Sequence, residues 1–180
     1  FHLRQAALGH DGSAPGAAAV ALVAGLLNRR LPGPGSAITA YSLGLEQAPD
    51  SGPMYVGMAR ARLLSDPNAN VLSLLDEAIR LNPNFGNAYL ERGKVKIRDN
   101  DIPGALNDLG EANTRLPNNP LVYFNLAQAH FKAGDYERAL ASAERTNQLD
   151  VTNLDNYLLL GQIYAETDRN DDAIKALQVY

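Results

Sequence analysis

Residues 120–153 read PLVYFNLAQAHFKAGDYERALASAERTNQLDVTN. Tyr123, Leu126, Ala127 and His130 recur at helical spacing, which places them on one face of a first helix. Gly134 breaks that pattern, and Asp135 is placed to cap a second helix on which Ala139, Leu140 and Ala143 share a face. The stretch predicts a helical hairpin. Its neighbours carry the same residues at a fixed interval: Pro15, Pro49, Pro83 and Pro117 stand 34 residues apart. Tyr55, Tyr89, Tyr123 and Tyr157 keep that step, as do Gly25, Ala59, Gly93, Ala127 and Gly161. So do Ala37, Val71, Ala105, Ala139 and Ala173. No gap interrupts any of these series, so the chain is a tandem array.

The other intervals fill in the same unit. Pro103 follows Asp101, as expected of a proline in the first turn behind an N-cap. The proline closing most units sits where it stops a second helix. Small residues such as Gly93, Ala105 and Ala112 let the two helices approach closely. The units are 18–51, 52–85, 86–119 and 120–153, with a truncated unit at 154–180 and a last helix of a preceding unit within 1–17. In unit 18–51, Pro32-Gly33-Pro34-Gly35 reads as the turn between helices. The sequence starts at Phe1 and both ends fall inside a unit, so it reads as a segment of a larger protein.

This pattern resembles the tetratricopeptide repeat family: an aromatic, Leu-Gly or Leu-Ala, an aromatic, Ala, an aromatic, Ala and Pro. Unit 86–119 supplies Tyr89, Gly93, Ala105, Leu109, Ala112 and Pro117, and unit 154–180 supplies Tyr157, Leu160, Gly161, Tyr164, Ala173 and Leu177. The resemblance implies an all-α fold, a single right-handed α-solenoid of antiparallel helical hairpins over 1–180. It also implies a non-enzymatic scaffold for protein–protein interaction, with no cofactor. Three residues depart from the pattern: Arg92 stands in the leucine slot, and Arg62 and Lys96 stand in the second aromatic slot. A buried arginine must be paired. Asp108 is the partner expected for Arg92, since variants of the family with Arg-Gly here carry Asp there.

Composition narrows the function further. Apolar residues make up 46% of the chain, ample for a core, and the net charge of −4 argues against general nucleic-acid binding. Ala17 to Leu27 is apolar but too short to span a bilayer, so no direct membrane insertion is expected. There is no cysteine, which excludes a disulfide framework but does not fix the compartment; the cytoplasm is slightly favoured over an otherwise unknown localisation. His2, His10 and His130 have no metal-ligand spacing, and His130 falls in a packing slot. Asp99-Asn100-Asp101 and Asp168-Arg169-Asn170-Asp171-Asp172 lack the glycine and terminal glutamate of a calcium loop and read as helix caps. No serine sits in a nucleophile-elbow context, no Gly-Lys-Ser/Thr follows the Pro-Gly-Pro-Gly turn, and no catalytic constellation is expected.

In the family, the second face of each first helix lines a concave groove. Here it begins with Val56, Leu90, Phe124 and Leu158, an apolar ladder. A basic stripe of Arg60, Lys94, Arg98 and Lys132 follows, with Asn125, Gln128 and Gln162 beside it. A protein or peptide partner with hydrophobic anchors and acidic residues would match these positions. The two-carboxylate clamp of chaperone-tail binders would need Lys, Asn, Asn, Lys and Arg. Its slots hold Val56, Arg60, Glu91, Leu121 and Asn125 in one frame, and Leu90, Lys94, Asn125, Asp155 and Leu159 in the next. At most one position matches, so that ligand is not expected. Two alternatives stand beside peptide binding: a recruiting or regulatory arm of a multidomain enzyme, and weak homo-oligomerisation through Leu177 and Tyr180 of the truncated unit.

Overall fold

The computed structural model describes residues 34–180. The expectations for the helix within 1–17, for Ala17 to Leu27 and for His2 and His10 lie outside the described residues. Every regular element among the described residues is an α-helix. They are α1 Pro34–Gln47, α2 Gly52–Ser65, α3 Leu72–Leu81, α4 Gly86–Arg98, α5 Ile102–Arg115, α6 Pro120–Lys132, α7 Tyr136–Leu149, α8 Leu154–Glu166 and α9 Asn170–Leu177. Two compact units divide them, the first ending at Ala88 and the second running over Tyr89–Tyr180.

In the first unit α1 packs on α2 and α2 on α3. Ala40, Ala48 and Met54 are buried together, with Tyr41 and Leu45 against them. The ring of Tyr41 lies so close to α2 that a Cβ on Gly57 would meet its Cε1 at 2.3 Å. Pro34 and Gly35 belong to α1 rather than to the turn expected at Pro32-Gly33-Pro34-Gly35. A proline is tolerated at the start of a helix because its missing N–H would have had no partner there. Helix α3 is short: α5 opens at Ile102, 34 residues after Asn68, yet α3 opens only at Leu72. The intervening loop turns instead on Asp66, whose carboxylate accepts from the Asn68 amide at 2.9 Å.

The second unit repeats one hairpin turn three times. Asn100, Gly134 and Asp168, spaced by 34, all have left-handed backbones with φ of 63°, 75° and 58°. In each, the amides of that residue and the next fold back onto the closing helix, as Gly134 to Phe131 at 3.0 Å and Asp135 to His130 at 2.9 Å. Asp101 then caps α5, accepting from Gly104 at 3.0 Å, and Asp135 caps α7, accepting from Arg138 at 3.1 Å. The turn at 168–172 differs from the capping expected of it. Arg169 occupies the N-cap position without a side-chain cap, and its guanidinium pairs with Asp172 at 2.7 Å.

Two core clusters follow from this geometry. Leu90, Ile97, Ala105, Leu109, Ala112, Val122 and Ala129 are buried together, and Ala127, Ala139, Ala143, Leu159, Leu160, Ile163 and Ala176 form the second cluster. The glycines of α4 and α8 admit a leucine from the following helix: a Cβ on Gly93 would lie 2.9 Å from Leu109, and one on Gly161 2.7 Å from Leu177. Asp108 is fully buried and is gripped by the fork of Arg92, with Nε to Oδ2 at 2.8 Å and a terminal nitrogen to Oδ1 at 2.7 Å. Lys96 adds a third bond to the same carboxylate at 2.8 Å, a partner that the sequence reading did not assign. No helix among the described residues is long and apolar enough to cross a membrane.

Candidate functional site

One groove of about 490 Å³ opens in the second unit, along α4, α6 and α8. It is lined by Lys94, Ile97 and Arg98 of α4, Asn125, Gln128, Phe131 and Lys132 of α6, and Leu159 and Gln162 of α8. These helices bring the residues together because the repeat step superposes them. Ile97 and Phe131 are 34 residues apart, as are Lys94 and Gln128, Arg98 and Lys132, Asn125 and Leu159, and Gln128 and Gln162. Lys132 ties two of the helices, its ammonium donating to the carbonyl of Ile97 in the last turn of α4 at 3.1 Å. A cation placed against the carbonyl end of a helix is favourable.

Of the residues expected on this face, Lys94, Arg98, Asn125, Gln128, Lys132 and Gln162 line the groove. Leu90 does not: it is 2% exposed, buried in the core with Val122 and Ala129 of the next hairpin. Val56 is likewise buried, at 3%. As surface anchors both must be corrected, because the positions following the tyrosine slot are covered by packing. Phe124 is half-buried against the core that holds Ala127 and Leu159, and Leu158 is half-buried beside it in sequence. Arg60 is exposed on α2, in the first unit. The apolar floor is formed instead by Ile97 and Phe131, each two helical turns beyond Leu90 and Phe124, and by Leu159. Helical spacing along the first helices already puts Ile97 and Phe131 on the groove face, next to Arg98 and Lys132.

The polar groups of the groove are held in place. The Asn125 side-chain amide donates to the Leu121 carbonyl at 2.6 Å, which ties the side chain to its own helix. Lys94 pairs with Glu91 at 2.9 Å, and that carboxylate side chain is only 6% exposed. Arg98 pairs with the neighbouring Asp99 at 2.7 Å. No acidic side chain lines the groove, so its wall is basic and amide-rich over an apolar floor. His130, one residue before Phe131, is half-buried with Nδ1 4.0 Å from Asp135. Burial holds its pKa below the usual histidine value, against the pull of Asp135. No cluster of potential metal ligands occurs among the described residues.

Known proteins place this architecture. The family model for anaphase-promoting complex (cyclosome) subunit 3 matches residues 105–180. Hsp70-Hsp90 organizing protein 2 of Arabidopsis thaliana is 29% identical over 121 residues, covering 62% of this chain. The match spans 21% of that relative's own length. Among solved structures, MamA residues 41 to the end from Desulfovibrio magneticus RS-1 superposes with a TM-score of 0.75 at 16% identity, covering 91% of each chain. YrrB, described as a TPR protein with an unusual peptide-binding site, gives 0.71 at 17% identity over 98% of this chain and 89% of its own. At such identities the structural likeness speaks for the fold, an all-α helical solenoid. The repeat and the hairpin geometry, with the matches to a cyclosome subunit and a chaperone-organising protein, are those of a protein-interaction module. The repeat is of the tetratricopeptide type, and proteins built from it are generally non-catalytic scaffolds.

Proposed function

We propose that the second unit binds a segment of a partner protein that combines apolar side chains with acidic residues. The observation that carries this is the groove itself: Lys94, Arg98 and Lys132 line it over Ile97, Phe131 and Leu159, in a chain of net charge −4. Apolar burial would supply most of the affinity, and the local positive potential would steer an acidic segment toward it. YrrB, with the same fold, is described as having a peptide-binding site. Kinship to a chaperone-organising protein does not extend to the chaperone-tail clamp, since Leu90, Asp155 and Leu159 stand where that clamp needs cations. Selection of random peptides on the immobilised chain tests the reading. Enriched peptides should carry net negative charge and bulky apolar residues, and should lose binding to a Lys94→Glu, Phe131→Ala variant that folds normally. Enrichment of neutral or basic peptides, or equal binding by the variant, would reject it.

A second reading is assembly, as a subunit or with itself. It is favoured by the match of 105–180 to the family model of an anaphase-promoting complex subunit. Sedimentation over a wide concentration range tests self-association. A constant monomer mass removes it.

A further inference from the structure

The three cations of the groove are not equivalent. Lys94 and Arg98 each hold a carboxylate of their own helix or its end, Glu91 at 2.9 Å and Asp99 at 2.7 Å. An incoming carboxylate must compete with those partners. Lys132 is held by a neutral acceptor, the Ile97 carbonyl at 3.1 Å, and among the described residues no carboxylate lies within salt-bridge distance of its ammonium. An ammonium has three donors. It can therefore keep the carbonyl and still bind a ligand carboxylate without displacing another charge.

Position sharpens this. The Lys132 ammonium sits at Ile97 while its backbone adjoins Phe131, so the charge lies between two residues of the apolar floor. Adjacent packed helices stand about 8–10 Å apart, and an extended segment advances about 3.3 Å per residue. A segment crossing from α4 to α6 therefore takes about three residues. Building on the peptide-binding reading above, we propose that Lys132 reads acidity in the bound segment. The residue it reads is an Asp or Glu bracketed by two apolar side chains about three positions apart.

The test uses three synthetic peptides with the cores Leu-Glu-Glu-Phe, Leu-Gln-Gln-Phe and Glu-Leu-Ser-Ser-Phe-Glu. The first and third carry equal charge. Fluorescence anisotropy should show the full chain binding the first about fivefold more tightly than either other, the size of a solvent-exposed ion pair. Lys132→Gln, which keeps a donor for the Ile97 carbonyl, should abolish that preference while leaving Leu-Gln-Gln-Phe unchanged. Lys94→Gln, which removes one positive charge from the groove, should weaken the first and third peptides alike and so leave the preference between them intact. If Lys132→Gln weakens all three peptides equally, the lysine is a strap between helices and the inference fails. If Lys94→Gln abolishes the preference instead, or the third peptide binds as well as the first, it fails too, with the peptide-binding reading intact. Absence of binding by all three at millimolar concentration overturns both.

Discussion

Arg92 and Lys96 occupy slots that Leu160 and Tyr164 fill two units later, and Asp108 stands where Leu74 stands one unit earlier. The substitution of charge for apolar bulk holds together only as a set of three, because Asp108 is fully buried while the cations keep 19% and 21% of their side-chain surface. Asp108→Asn removes the carboxylate and leaves two half-buried cations facing an amide. Urea unfolding should show a loss of about 3 kcal/mol. The triple variant Arg92→Leu, Lys96→Tyr, Asp108→Leu should recover most of that loss, since apolar replacement of a buried ionic cluster is commonly neutral or better. His130 supplies a different signature. Its depressed pKa means that the unfolded chain binds the proton more readily, so its contribution is complete above about pH 6.5 and declines as pH falls below it. The lowered carboxylates, such as Asp150, Glu77 and Asp172, lose their contributions only in more acidic solution. Stability should therefore fall between pH 7.5 and about 5.5, and His130→Gln should flatten that slope in paired urea titrations.

Helix pairs are set by what fits between them. On α5 the outward Gly110 has nothing within 4 Å of a Cβ, whereas Gly93 on α4 would drive one into Leu109, itself fully buried. The same chemical change thus has opposite signs. Gly110→Ala should raise stability by about 0.5–1 kcal/mol through helix propensity. Gly93→Ala should lower it by about 1 kcal/mol or more as the leucine is forced off its position. Thermal or denaturant melts of the two single variants check both. The caps of α5 and α7 offer a further comparison: Asp101→Ala and Asp135→Ala should each cost about 1 kcal/mol, because each removes an acceptor from an otherwise unpaired amide. Hydrogen exchange confined to the first turn of each helix would show the loss locally. An unchanged first turn would rule out the caps as the cause.

A chain carrying net charge −4 with a basic groove should bind acidic segments with a salt-sensitive on-rate. Association measured from about 0.05 to 0.5 M salt should slow as the Debye length shrinks below about 10 Å, while dissociation changes little. At this scale the hairpin architecture was readable from one step of 34 residues, since that step carries Tyr89 to Tyr123 and Asn100 to Gly134 without a gap. The groove was read only in part. Equivalence along the repeat identifies Lys94 and Gln128 as one position, but it does not say which side of a helix the next hairpin covers. Leu90 is covered and Ile97 lines the groove two turns later, a distinction made by packing between α4 and α6. One packing detail reaches beyond stability. Gly93 accepts Leu109 and Gly161 accepts Leu177, whereas the corresponding positions of the hairpin between them are both alanine, Ala127 and Ala143. The hairpin of α2 and α3 holds a third combination, Ala59 with Leu75, both buried, so the same volume is filled in more than one way along the chain. Joining α6 to α5 would set the Ala127 methyl against Leu109, which then has to shift as it would in Gly93→Ala, and joining α4 to α7 would leave Gly93 facing only Ala143. A crossover between hairpins of this array keeps each helix with the partner its side chains fit, whereas one within a hairpin exchanges that partner.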